Sequence, residues 1–239
     1  MNIRILSAAG LLLDLLYPRH CAVCRRVLSD PSALVCPDCA RRLSPVSGSR
    51  CMRCGKLVPP EEEYCRDCRK GRYFKEGMGI FHYEGEMKKS ILAFKYGGHC
   101  EYALFYAWAI MTYAGDRIRA FHPDLLVPVP MYPGKIRRRG YNQAALIARE
   151  LSKLTGIACE ENLVVKVRPT ASQKTLDAAA RRNNLSGSLS VRGSAAGLKI
   201  LVVDDVFTTG GTVDAVARHL LGAGALEVMF ATVCTGRQD

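Results

Sequence analysis

The sequence predicts an α/β protein, with a parallel sheet covered by helices on both faces and a small N-terminal module held together by cysteines. Three observations lead there. Eight of the eleven cysteines lie between positions 21 and 68, in four Cys-x-x-Cys pairs. From about residue 72, continuous apolar runs alternate with amphipathic stretches, the pattern of strands buried on both faces between helices. The chain has 239 residues and is 49% apolar, enough for one full domain and an appendage. The expected division is 1–70 for the cysteine module and 71–239 for the sheet domain.

The N-terminus, MNIRILSAAGLLLDLLYPRHC, has an early basic residue and an apolar run from Ile5 to Leu13. Asp14 breaks the run and no small-x-small cleavage site follows, so it reads as a short helix packing on the body of the protein, not a signal peptide. No segment reaches the roughly 18 consecutive apolar residues of a membrane span. Clustered cysteines, with Cys100, Cys159 and Cys234 outside the pairs, suit a reducing compartment, and the expected location is cytoplasmic.

The pairs are Cys21/Cys24, Cys36/Cys39, Cys51/Cys54 and Cys65/Cys68. A Cys-x-x-Cys turn points two sulfurs at one metal, and two turns complete a tetrahedral four-cysteine zinc site. Gly55, directly after Cys54, suits the positive backbone angle such a knuckle often needs. Few large apolar residues surround the pairs, so metal binding must supply folding energy that burial cannot. Redox chemistry would not need four such pairs, and two structural zinc ions are expected. The 11, 11 and 10 residues separating successive pairs leave sequential and interleaved pairing both open; sequential is the simpler.

In the second domain, GMGIFHYEG reads as strand and turn, EMKKSILAFKYGG as a short helix stopped by Gly97-Gly98, and EYALFYAWAIMTYAGDRI as a long apolar-faced helix. Strand 124–130, helix 142–154 and strand 162–167 follow. After an irregular polar stretch at 168–187 come strand 198–205, helix 212–221 and strand 226–233.

Two strand ends carry unusual chemistry. In ILVVDDVFTTGGT (200–212) a buried strand ends in Asp204 and Asp205, then a Thr- and Gly-rich turn opens a helix. Gly210 and Gly211 let the backbone approach closely, and exposed amides at a helix N-terminus make a phosphate cradle. Thr208, Thr209 and Thr212 add hydroxyl donors, and the carboxylates suit vicinal ribose hydroxyls. Together they describe a site for a ribose 5-phosphate. The second strand end, VPVPMYPGKIRRRGYNQ (127–143), brings Lys135, Arg137, Arg138 and Arg139 to a Pro-rich turn. Cations are disfavoured at a helix start, so a bound anion such as pyrophosphate accounts for them better. The stretch after strand 162–167 bears Arg168, Gln173, Lys174, Arg181 and Arg182, lacks an apolar stripe and is too long for an idle connection, so it reads as a lid.

Charge follows the same geography. The chain carries 34 Lys+Arg against 22 Asp+Glu, net +12. Residues 131–195 hold 12 basic and 4 acidic groups, whereas 196–239 hold 3 and 5. No Gly-x4-Gly-Lys-Ser/Thr occurs, and the Gly-x-Gly pairs at 77/79 and 222/224 lack a third glycine, which excludes the common nucleotide loops.

The string VVDDVFTTGGT resembles the phosphoribosyl pyrophosphate (PRPP) signature of type I phosphoribosyltransferases. With LLDLLYPRHCAVC, the paired cysteines, FKYGG (94–98), RRRGYNQA and RPTASQKTL…RRNNLSGSL, the chain resembles the ComF family (competence protein F and its GntX relatives) over nearly its whole length. The resemblance implies a type I phosphoribosyltransferase fold behind a double zinc ribbon. It implies that Asp204 and Asp205 bind the ribose hydroxyls and magnesium, that 208–212 hold the 5-phosphate, and that a basic hood keeps water from a reactive sugar carbon. It also implies a role in natural transformation, with incoming single-stranded DNA and proteins of the uptake machinery as partners. One departure limits the enzymatic expectation. Purine-salvage members commonly carry an acidic residue where this chain has Thr208, nothing at this loop proposes a proton acceptor, and no acceptor nucleophile is visible elsewhere. Three readings stand: a magnesium-dependent phosphoribosyltransferase, a silent PRPP-binding accessory or sensor, and a nucleic-acid-binding zinc module with a structural second domain.

Overall fold

The computed structural model describes residues 18–169 and 187–237. Its centre is a five-stranded, wholly parallel sheet of β1 (Glu76–His82), β2 (Leu125–Pro128), β3 (Ala158–Cys159), β6 (Lys199–Phe207) and β7 (Glu227–Thr235), in the order β1-β7-β6-β2-β3. Parallel strands need crossovers. These contain α2 (Gly85–Tyr96) and α3 (Tyr102–Phe121), then α4 (Pro133–Arg139) and α5 (Gln143–Thr155), and finally α6 (Gly211–Gly222). A further helix, α1 (Pro37–Arg42), lies in the cysteine module.

Burial on both faces explains the continuous apolar strands. In β6, Leu201 and Val203 join an apolar cluster with Ile110 of α3 and Ile147 of α5, whereas Ile200 and Val202 join a second cluster with Val216 and Leu220 of α6. The cysteine module divides between these two clusters. Cys21, Ala22, Val23 and Leu28 belong to the first, and Cys51, Cys54, Cys65 and Phe74 to the second. Between them, the Val46 amide donates to the Ile80 carbonyl at 2.8 Å, using an acceptor on the outer edge of β1 that would otherwise invite further pairing.

Strand 162–167 departs from expectation. Only Val164–Lys166 is extended (β4), and it pairs antiparallel with β5 (Leu189–Val191) in a separate two-stranded sheet. Its Leu163 and Val164, with Leu189 of β5, join the second apolar cluster alongside Val216 and Leu220 of α6. The two-residue β3 takes the outer position of the parallel sheet instead. The cations after β2 also sit differently, on the short helix α4, which has Pro133 in its first turn and ends at Gly140, φ +94°.

Candidate functional site

From β2 the chain proceeds outward to β3, and from β6 outward to β7 in the opposite direction. The carboxyl ends of β2 and β6 therefore flank the switch point, where open parallel sheets leave a crevice. A cavity of about 590 Å³ opens there, with Asp204, Asp205 and Thr212 on one side and Lys135, Arg138 and Arg139 on another.

The β6 end supplies the carboxylates. Asp205 is buried and receives an ion pair from Lys95, at the end of α2, at 2.8 Å. Burial opposes the charge on Lys95, yet Asp205 and then Asp204 hold its pKa above the ordinary lysine value. Desolvation, then the Asp205 charge, pushes Asp204 up to about 7, against the Asp205 backbone amide and the two lysines Lys95 and Lys135. That amide donates to Asp204 Oδ1 at 2.8 Å. Two adjacent carboxylates, contacted directly among the described residues by one lysine at Asp205, make a site suited to a hard cation or sugar hydroxyls.

Immediately beyond, Phe207 ends the strand and Thr208–Gly210 turn into α6. Gly210 has φ +79°, and a Cβ there would lie 2.6 Å from the Phe207 ring. Glycine thus satisfies both backbone and space at this position. The turn leaves Thr208 and Thr209 exposed and Thr212 on the cavity wall, at the positive end of a twelve-residue helix.

On the opposite wall, Arg139 donates to Gln143 Oε1 at 2.5 Å and stacks over the Tyr96 ring at 4.8 Å. Asn142 caps α5 by accepting from the Ala144 amide at 3.1 Å, while its own amide donates to the Val129 carbonyl at 3.0 Å. The Tyr141 hydroxyl donates to the Phe94 carbonyl. The RGYNQ segment thereby ties the β2 end and the FKYGG turn into one wall. Lys166 of β4 also lines the cavity, and burial with the neighbouring Lys135 charge lowers its pKa.

The eight paired cysteines form two clusters, Cys21/Cys24/Cys36/Cys39 and Cys51/Cys54/Cys65/Cys68, with the sulfurs of each within 4.8 Å of one another. Sequential pairs therefore share a site. Such all-sulfur groups fit a tetrahedral zinc ion. The first cluster is partly open, and Arg26 donates to Cys24 Sγ at 3.4 Å and Cys36 Sγ at 3.6 Å. Burial raises the Cys24 pKa, but the Arg26 bonds outweigh it and bring the thiol down to about 6. All four cysteines of the second cluster are buried.

A glycine-bearing turn at a helix N-terminus, a carboxylate pair and a cationic wall around one crevice, together with two four-cysteine clusters, agree with the family comparisons. Residues 12–69 match the double zinc ribbon domain and residues 107–239 the phosphoribosyl transferase domain. The chain belongs to the phosphoribosyl transferase domain family. It is 29% identical over 221 residues to the DNA utilization protein YhgH of Salmonella typhimurium, covering 91% of this chain and 97% of that one. It is 29% identical over 216 residues to competence protein F of Haemophilus influenzae, covering 87% and 93%. With competence protein ComFC of Bacillus subtilis it shares 28% over 215 residues, 82% of each chain. The ComF kinship expected from the motifs is borne out.

Within this phosphoribosyl transferase domain, the structure brings Asp204, Asp205, Thr212, Lys135, Arg138 and Arg139 to one cavity. Arg137 is exposed and does not line it, and Arg168 is exposed one residue before Pro169, which does. Gln173, Lys174, Arg181 and Arg182 lie outside the described residues. Sequence reasoning assigned no role to Lys95, Tyr96, Gln143 or Lys166. Lys95 lies inside the FKYGG string and Gln143 inside RGYNQ, but only the fold shows that each faces the crevice. Among the described residues, no helix is long and apolar enough to cross a membrane.

Proposed function

We propose that this chain binds PRPP with magnesium in the β2–β6 crevice and serves, in the manner of ComF proteins, in handling incoming single-stranded DNA during natural competence. The convergence of Asp204/Asp205, the α6 N-terminus and Lys135/Arg138/Arg139 around one cavity carries the PRPP reading. Asp204 and Asp205 hold the ribose hydroxyls and the ion, residues 208–212 receive the 5-phosphate, and the α4 cations face the pyrophosphate. Magnesium, when bound, neutralises charge on the pyrophosphate. The competence role rests on the relatives named competence protein F, ComFC and DNA utilization protein.

Binding is better supported than turnover. Thr208 is an exposed hydroxyl in the loop, where purine-salvage members commonly carry an acidic residue, which favours a sensor or accessory role over purine salvage. The discriminating experiment is isothermal calorimetry with PRPP and magnesium, followed by pyrophosphate release over a panel of acceptors. Heat of binding without release supports the accessory role. Release with any acceptor makes the protein an enzyme, and absence of binding sinks both.

A further inference from the structure

The second four-cysteine site is built directly onto the phosphate loop, and the joint is Arg72. Cys68 accepts from the Gly71 amide at 3.1 Å, so the chain leaves the cluster through a closed turn. The next residue, Arg72, sends Nη2 to the Thr209 carbonyl at 2.8 Å and Nη1 toward Asp214 Oδ2 at 3.6 Å. The Tyr73 amide donates to the other Asp214 oxygen at 2.8 Å. Two consecutive residues thus hold the loop and the first turn of α6.

The Arg72 and Asp214 side chains are only 11% and 13% exposed, so this pair is protected from solvent screening. Arg72 Nε is buried with no hydrogen-bond partner among the described residues, and the guanidinium's observed polar contacts are those of Nη2 to the loop carbonyl and Nη1 to Asp214. A second path runs beside it. Phe207, the residue before the loop, stacks on Phe230 at 4.5 Å and meets Phe74 edge-on at 6.1 Å, with buried Lys56 over its ring at 5.7 Å. Lys56 lies two residues after Cys54 and reaches Asp67, beside Cys68, at 3.3 Å. The first cluster meets α2 instead, through a bond from Ser90 Oγ to the Ala22 carbonyl. Among the described residues, no hydrogen bond or ion pair joins that cluster to residues 206–212.

We infer that Arg72 is a positioning residue for the phosphate loop, and that metal occupancy of Cys51/Cys54/Cys65/Cys68, but not of the other cluster, is thermodynamically linked to PRPP binding. The inference rests on the PRPP reading of the crevice. Linkage is reciprocal: the factor by which zinc loss weakens PRPP binding is the factor by which PRPP tightens zinc. Zinc occupancy at this cluster would fix the turn from which Arg72 projects, and with it the Thr209 carbonyl and the orientation of the loop amides.

The test is site-resolved alkylation of the full-length zinc-loaded protein, exposed to a zinc-selective chelator that spares magnesium, with and without PRPP and magnesium. Mass spectrometry reads the two cysteine clusters separately. PRPP is expected to slow labelling of Cys51, Cys54, Cys65 and Cys68 severalfold and to leave Cys21, Cys24, Cys36 and Cys39 unchanged. Arg72→Ala should weaken PRPP binding at least tenfold and reduce that protection to what the Phe207–Lys56 path still carries, and Arg72→Lys should restore part of both. Equal protection of the two clusters, or none while calorimetry shows PRPP bound to the wild type, would overturn the linkage. An Arg72→Ala protein that binds PRPP like the wild type would overturn the positioning role. If Arg72→Ala does not fold, Arg72→Lys and the wild-type labelling contrast still decide. A wild type that binds no PRPP fails at the calorimetry step and removes the premise itself.

Discussion

The two cysteine clusters are copies of one device placed in different surroundings. Offsetting the sequence by 30 residues aligns Cys21 and Cys24 with Cys51 and Cys54, and the isolated bridge His20–Val27 with Arg50–Leu57. In both knuckles the residue after the second cysteine donates its amide to the first cysteine's carbonyl, Arg25 to Cys21 and Gly55 to Cys51. Both residues have positive φ, 64° and 71°. Their surroundings decide which side chain is tolerated. Arg25 is exposed, whereas a Cβ at Gly55 would lie 2.9 Å from the Gly77 carbonyl of β1. The first cluster is bordered by arginines and rests on α2, whose last turn carries Lys95 to the carboxylates. The second is buried and is tied through Arg72 to the turn after β6. One metal motif therefore packs against a helix in one copy and is tied to the turn after β6 in the other.

The sharpest way to break this comparison is to remove a ligand from each cluster. Cys54→Ser in the buried cluster should cost about 3 kcal/mol or more, since it leaves a metal site incomplete inside an apolar cluster. Cys24→Ser in the half-exposed one should cost clearly less. Thermal unfolding with zinc content measured alongside checks this, and equal losses would contradict the asymmetry.

A subtler comparison exchanges the residues after the knuckles. Gly55→Ala should destabilise by about 2 kcal/mol through positive φ and the contact with the β1 backbone. Arg25→Gly relieves only the left-handed backbone cost, and should be neutral or stabilising by up to about 1 kcal/mol. Denaturant midpoints read the two signs, and a destabilised Arg25→Gly would show that the arginine side chain contributes more than its backbone costs.

The smallest expected effect concerns the wall that Lys95 reaches. Asp204 has a pKa raised to about 7 by folding, from an ordinary value near 4. Between those values the folded protein binds more protons than the unfolded chain, so its contribution to stability falls as pH rises and levels off above pH 7. Under the proposed PRPP reading binding has the opposite sign, because magnesium and ribose hydroxyls would require the carboxylate. PRPP affinity should rise about tenfold from pH 6 to pH 8 on account of this group. Asp204→Asn should lack that component of the rise, and an unchanged pH profile would place the titration elsewhere.

These contrasts also mark what the sequence could disclose. The cysteine pairs, the β6 turn and the alternation of strands and helices were legible because each depends on neighbours in sequence: knuckle spacing, glycine at a tight turn, and apolar runs of strand length. The second strand end was only partly legible, since its cations sit on a seven-residue helix whose faces no periodicity argument divides. That is why Arg137 could not be separated from Arg138 and Arg139. Val164–Lys166 was misplaced because a short apolar run does not say which sheet it joins. The links that organise the crevice, Lys95 to Asp205 and Arg72 to Thr209, span 110 and 137 residues. No local pattern announces them.

The central claim, that the β2–β6 crevice is a PRPP site, is most directly tested by calorimetry of the zinc-loaded chain with PRPP and magnesium, beside the doubly substituted Asp204→Asn/Asp205→Asn protein. The wild type should bind one PRPP per chain, and the variant, still folded and retaining its zinc, should lose that binding by a hundredfold or more. Equal binding by the two proteins, or no binding by the wild type, would contradict the account.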